Sequence, residues 1–374
     1  MNIKERRYDL DWWRVISIFA VYLHHIGMPF NGDDFHIMNN ESSKLLDDIM
    51  VFFEQFRLPI LFLISGVGTV YAFQRRNWIH FIKERSYRLL IPLIFGVLII
   101  VPPQTFFENY ESFNSYLDVY SKEHFKLKAN HLWFLENLFF LSILCIPIIL
   151  FFKSTRFKTM LGWVEKTTST KLGMFLWVIP LVLIRIISKK YFPSDSKDIT
   201  NLSSTLFYGY FFIAGILINQ SDLIWSNLKN YRRHNLKLSM FSIIVFYGYY
   251  FFPEGWVPEN VSNKLLWDIW YTVSVLLSWS LIITALGYGQ VFFNRKSNLL
   301  PLLNQAAYPF YILHQTVIVV LAYYIVQLNL SILFKIALLL ISTLSVTIVI
   351  YRFVIYPFKI ARFLFGVKSK SSAI

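Results

Sequence analysis

Apolar runs close to twenty residues long recur along the whole chain, separated by short polar stretches. A predominantly apolar helix needs about 20 residues to cross the hydrocarbon core, so the pattern predicts about ten membrane helices. They fall at roughly 12–30, 51–73, 87–104, 132–152, 172–188, 203–219, 236–252, 264–288, 304–328 and 331–356. No fixed-period repeat, low-complexity tract or domain-length linker interrupts the series, so 1–374 reads as a single all-α membrane domain. The longest polar interval, about 105–130, interleaves Phe106, Phe107, Tyr110, Phe113, Tyr116 and Tyr120 with polar groups. It reads either as a cap over a binding surface or as an interfacial aromatic belt.

Charge sorts the intervals into two sets. Arg6 and Arg7, Lys83 and Arg85, Arg156 and Lys158, Arg232 and Arg233, Arg295 and Lys296, and Lys359 and Arg362 mark alternate intervals and both ends. The intervals between them hold Asp33 and Asp34, Glu108 and Glu111, Asp195 and Asp198, and Glu254 and Glu259. Cytoplasmic loops are enriched in Lys and Arg, which places both termini and the even-numbered loops in the cytoplasm. Topology thus accounts for the net charge of +14, and no nucleic-acid partner is needed. The basic-then-apolar start has no small-residue cleavage site after Phe30 and reads as a retained anchor.

Composition narrows the chemistry. The chain is 56% hydrophobic and only 16% charged, beyond what a soluble domain of 374 residues requires. One cysteine excludes a disulfide framework and every thiolate zinc pattern. No Gly-x-Ser-x-Gly, His-Glu-x-x-His or Walker sequence occurs, and "SGVGTVY" lacks the third glycine of a dinucleotide-binding turn. Neither a metal nor a permanently bound cofactor is expected.

The first apolar run, "WWRVISIFAVYLHHIG", keeps an arginine and two histidines that each raise the free energy of insertion. Arg14 and His25 are eleven residues apart, close to three full turns, so both project from one helix face about 16 Å apart along the axis. Asp11 sits one turn before Arg14 on nearly the same face, whereas His24 points about a quarter turn away. The line runs from a fixed cation suited to phosphate to an imidazole whose neutral form, favoured by burial, accepts a proton from an alcohol. A ligand with an anionic head in the cytoplasm and a reactive end deeper in the bilayer fits it, and acyl-coenzyme A is such a molecule. The bland alternatives are a snorkelling anchor for Arg14 and histidines that meet interfacial water.

The stretches "RRYDLDWWRVISIFAVYLHH", "FRLPILFLISG", "FIKERSYRLLIP", "HLWFLENLFF" and "YPFYILHQ" together resemble membrane acyltransferase family 3, whose members O-acylate glycans. "RLLIPLIFGVLIIVPPQ" looks most like the branch containing the glucan biosynthesis protein C enzymes. The resemblance implies His25 as catalytic base and Arg14 as an essential acyl-donor contact, and Asp11, on the same face, is counted with them among the catalytic residues. It implies an acyl-CoA contact surface from Arg14, Arg57, Ser65, Gly66, Arg85 and Arg88. His131 and Trp133 at the start of the fourth run, and Tyr311 and His314 in the ninth, are the acceptor-binding candidates. His24 lies one position off the family spacing, and neither it nor Ser65 is excluded as an acyl carrier.

The expected activity is therefore transfer of an acyl group, acetyl or succinyl, from cytoplasmic acyl-CoA to a hydroxyl of an extracytoplasmic glycan or glycolipid. The expected location is the inner (cytoplasmic) membrane as a multi-pass protein, with a homo-oligomer left open. A polysaccharide or lipid transporter or flippase is the rival class, since ten helices with intramembrane charges also suit a substrate path.

Overall fold

The computed structural model describes residues 6–74, 77–121, 123–152 and 154–367, and among them no strand occurs. The α-helices in order are α1 (Tyr8–Asn31), α2 (Lys44–Glu54), α3 (Arg57–Gln74), α4 (Trp78–Arg85), α5 (Ile91–Phe95), α6 (Pro102–Glu108), α7 (Trp133–Leu144), α8 (Ile146–Phe151) and α9 (Thr155–Thr168). The rest of the chain adds α10 (Val178–Tyr191), α11 (Leu202–Ile218), α12 (Asp222–Asn230), α13 (Arg232–Tyr250), α14 (Asn263–Phe292), α15 (Leu299–Ile325), α16 (Ile332–Ile350) and α17 (Lys359–Leu364).

Among the described residues, five helical stretches are long and apolar enough to cross a membrane: Lys44–Phe73, Trp78–Glu108, Asn263–Phe292, Leu299–Ile325 and Ile332–Ile355. A sixth arises if Leu202–Ile218 and Asp222–Asn230, bent by 106° at their junction, form one broken span. Three of the four remaining apolar runs differ from plain spans for visible reasons. α1 begins with Asp9, Asp11 and Arg14, which dilute its apolar character. The run at 132–152 is divided at Cys145, where Pro147 opens α8 and cannot continue the preceding ladder. α10 is 14 residues long and comes after a 3-10 turn at Phe175–Trp177.

The chain forms two compact units, each assembled from discontinuous stretches. The first comprises Met1–Arg14, Gln55–Trp78 and Phe140–Lys296. Its centre holds Trp279, Phe211, Phe212 and Ile216, all fully buried. Here α3 and α11 approach so closely that a Cβ at Gly66 would lie 2.0 Å from the Phe212 carbonyl oxygen, and one at Gly215 would lie 2.0 Å from that of Leu63. Backbones meet at that distance only where side chains are absent.

The second unit comprises Val15–Glu54, Ile79–Phe139 and Ser297–Ile374. Tyr22, Ile26 and Phe30 of α1 pack with Ile318, Ala322 and Ile325 of α15 and Leu339 of α16. Tyr22 donates its hydroxyl to the Leu340 carbonyl at 2.6 Å. The stretch from Trp78 to Glu108 is not one regular helix: π turns occupy Ser86–Leu90 and Gly96–Ile100. Each inserts a residue and rotates the downstream helix, so Gln104 faces where the 3.6-residue period from Arg85 would not put it.

The interval at 105–130 packs its aromatics together, with the Phe106 ring against Phe107, Tyr110, Phe113 and Tyr116. Phe107 in turn meets Tyr323 and Tyr324 of α15. Asp118 closes a capping box with Ser115. Hydrogen bonds from the Ser115 backbone, and then from its hydroxyl and the Asn114 amide, hold the Asp118 carboxyl below its ordinary pKa.

Candidate active site

In the second unit His25, His36, His131 and His314 belong to one polar network. The unit's α1 portion carries His25, whose Nδ1 lies 2.8 Å from the Val21 carbonyl oxygen one turn earlier and 3.3 Å from His314 Nε2. His314, 1% exposed on α15, directs Nδ1 to the Tyr311 carbonyl at 2.6 Å. A carbonyl only accepts, so His314 Nδ1 carries hydrogen and its Nε2 is a lone-pair acceptor. His25 Nδ1–H is then shared between Val21 and His314, and the lone pair of the His25 ring resides on Nε2. These partners set the tautomer. It is the tautomer a general base requires.

A second layer extends from this pair. His131 donates from Nε2 to the Ile312 carbonyl at 3.0 Å and accepts at Nδ1 from Gln104 Nε2 at 3.2 Å. It lies in the turn before α7, outside the candidate spans, and burial pushes its pKa down to about 3, with the His314 ring a smaller contributor. Gln104 also donates to Thr316 Oγ1 at 2.6 Å, and the Thr316 hydroxyl donates in turn to the Ile100 carbonyl at 2.6 Å. Gln104 Oε1 accepts from Asn130 at 2.9 Å and from Gln315 at 3.2 Å. Gln315 Nε2 reaches His36 Nε2 at 3.1 Å, and His36 donates from Nδ1 to Glu108 Oε2 at 2.6 Å. Of the three amides, Gln315 alone has a side-chain oxygen that accepts no hydrogen bond among the described residues.

Placement of the sequence candidates divides between the units. His25, His131, Tyr311 and His314 come together in the second. Tyr311 is buried and donates its hydroxyl to the His131 backbone carbonyl at 2.5 Å. The polar atoms of His131, Tyr311 and His314 are thus engaged within the protein. Trp133 is half-buried at the start of α7. Arg85 and Arg88 also lie in this unit. The Arg85 guanidinium sits over the Phe81 ring, 4.9 Å from its centroid, and Arg88 pairs with Glu84 at 2.8 Å. The Arg88 carbonyl, within the first π turn, accepts from Tyr308 at 2.6 Å.

The first unit holds the others. Arg14 is 37% exposed at its side chain and pairs with Asp11 at 3.1 Å. Arg6 grips the other Asp11 oxygen at 2.8 and 3.0 Å, so that carboxylate serves two guanidinium groups. Arg14 and His25 share the unbroken α1 helix. Arg57 is 2% exposed at the start of α3. Ser65 gives its backbone carbonyl to Thr69 at 2.8 Å. Gly66 is required by the crossing with α11. Among the described residues no group of three or more His, Cys, Asp or Glu side chains could hold a metal ion.

Sequence reasoning missed His36, Gln104, Glu108, Asn130, Gln315 and Thr316. Gln104 and Gln315 stand at the ends of two quoted stretches, and a polar amide inside an apolar run is a signal of its own. Their convergence is tertiary.

A family model described as Acyltransferase domain matches residues 7–352. The chain belongs to this family of membrane acyltransferases. It is also 30% identical over 229 residues to Glucans biosynthesis protein C of Escherichia coli strain K12, and 29% identical over 229 residues to the protein of that name in E. coli O1:K1 / APEC. Each match covers 57% of this chain and 58% of the relative, so the aligned part is well short of the relatives' full length. No solved structure gives a significant match. The matched family span runs through both units and contains every candidate residue named from the sequence.

Proposed function

We propose that the protein is an O-acyltransferase that moves an acetyl or succinyl group from cytoplasmic acyl-CoA to a hydroxyl of an extracytoplasmic glycan or glycolipid. The reading rests on one observation above all: His25 Nδ1–H is committed to Val21 and His314, which leaves the basic lone pair on Nε2. In the reaction, an acceptor hydroxyl gives its proton to His25 Nε2 as its oxygen attacks the thioester carbon. The tetrahedral intermediate then collapses, the carbon–sulfur bond breaks, and the CoA thiolate takes the proton from the imidazolium. Neutral His314, accepting from Nδ1–H, holds the ring in place and stabilises its charge in between.

Arg85 and Arg88, beside each other at the start of the Trp78–Glu108 stretch, are suited to the donor's phosphates, as is Arg14 on the helix that carries His25. Gln315 comes directly after His314, and its side-chain oxygen is available to a sugar hydroxyl. Asp11 sets the position of Arg14, and His131 and Tyr311 brace the histidine pair from behind. The topology that suits this scheme is about ten crossings of the inner membrane with both termini cytoplasmic.

The direct test is mass spectrometry of surface glycans from cells with and without the gene. An acyl-sized mass difference that returns with the wild-type gene names both donor group and acceptor. Identical glycans in both strains contradict the assignment.

A further inference from the structure

α10 carries a guanidinium with more donors than the protein satisfies. Arg185, half-buried in the first unit, donates from Nη1 to Ser203 Oγ at 3.3 Å, and that oxygen is 2.9 Å from Ser188 Oγ. Two rings flank it, with Cζ 4.9 Å from the centroid of Phe207 and 5.3 Å from that of Tyr271. Rings serve the faces of a guanidinium and leave its five in-plane N–H donors unmet. Among the described residues no acceptor but Ser203 meets them. The acid nearest in sequence, Asp195, acts on Arg185 through space but gives it no hydrogen bond among the described residues: its Oδ1 receives Lys189 Nζ at 2.6 Å, with the carbonyls of Ser194 at 2.7 Å and Pro193 at 3.2 Å completing the three Lys189 donors.

The surroundings indicate which acceptor fits the remaining donors. A half-buried cation with no acid bonded to it is costly in an apolar bundle unless an anion joins it. α10 ends six residues after Arg185, about 9 Å along the axis, at exposed Tyr191 and Phe192, and the exposed Trp267 indole lies one turn of α14 before Tyr271. Such aromatic side chains mark the depth of headgroups, where phosphate is the abundant anion and where the arginine fork matches its oxygens.

We propose that Arg185, with the hydroxyls of Ser203 and Ser188 beside it and the rings of Phe207 and Tyr271 next to it, binds a phosphate oxyanion. The site is separate from the histidine cluster and does not depend on the acyl-transfer reading. Its ligand chemistry is available either from a phospholipid or from a soluble phosphate.

Two probes are offered to the purified full-length protein in detergent: phosphatidylglycerol, read by native mass spectrometry, and inorganic phosphate, read by titration calorimetry. Wild type is compared with Arg185→Gln and Arg185→Lys, each first checked for an unchanged thermal transition. The expected result is one bound probe on wild type, with affinity lowered about tenfold or more in Arg185→Gln, the loss of a charge-assisted hydrogen bond. Arg185→Lys, a point charge without the fork, falls between them and carries the comparison if the glutamine variant does not fold. Binding of phosphatidylglycerol alone assigns the site to a lipid, and binding of inorganic phosphate assigns it to a soluble ligand. Equal binding by wild type and both variants, or no binding of either probe to wild type, overturns the proposal.

Discussion

His314 Nε2 occupies the place that a carboxylate takes in many base-assisted acyl transfers, yet it is a neutral acceptor when His25 is neutral. It orients the ring as a carboxylate does, and it stabilises the imidazolium less. His314→Ala is therefore expected to lower kcat by on the order of 10²-fold, within the range that a general base contributes, with little change in KM for the donor. His314→Gln keeps an acceptor near His25 Nδ1 and recovers part of that loss. Steady-state kinetics on both variants checks this, and equal loss in both would assign His314 a purely packing role. At this scale the sequence was informative along one helix and silent across helices. The period of α1 aligned Arg14 with His25, but the contact between His25 and His314 joins residues 289 apart, which no local period can relate. For the same reason His131, Tyr311 and His314 read as contacts for an acceptor, while their side-chain polar atoms meet Gln104, His25 and backbone carbonyls.

At the level of elements, glycine spacing decides how α3 and α11 cross. Gly66 belongs to a stretch whose resemblance implies donor binding, and the structure supplies a packing reason for it as well. Gly66→Ala forces the Phe212 carbonyl to move and is expected to destabilise the protein by about 1–3 kcal/mol, the usual cost of overpacking. Gly215→Ala should cost a similar amount, and the double variant less than the sum, because both act on one contact. Thermal unfolding of the three variants in detergent measures this; full additivity would place the two glycines in separate contacts. Helix positions were legible from apolar runs, since α11, α14, α15 and α16 lie close to 203–219, 264–288, 304–328 and 331–356. The π turns at Ser86–Leu90 and Gly96–Ile100 were not, because an inserted backbone residue leaves composition unchanged.

For the whole molecule, the apolar content and the alternating charge of the loops identified a membrane protein, and the family match over 7–352 agrees with that class. Interleaving of two compact units, in which α1 contributes its first turns to one and the remainder to the other, left no trace in composition, because both units draw on the same kinds of apolar run. In the proposed reaction one imidazole on α1, that of His25, takes the acceptor's proton during acyl transfer. Proteoliposomes holding wild-type or His25→Ala protein, with radiolabelled acyl-CoA on one side and a gluco-oligosaccharide on the other, test it most directly. Labelled oligosaccharide is expected with wild type, and a loss of about 10²–10⁴-fold with His25→Ala at unchanged thermal stability. A folded His25→Ala protein that labels the oligosaccharide at the wild-type rate would contradict it.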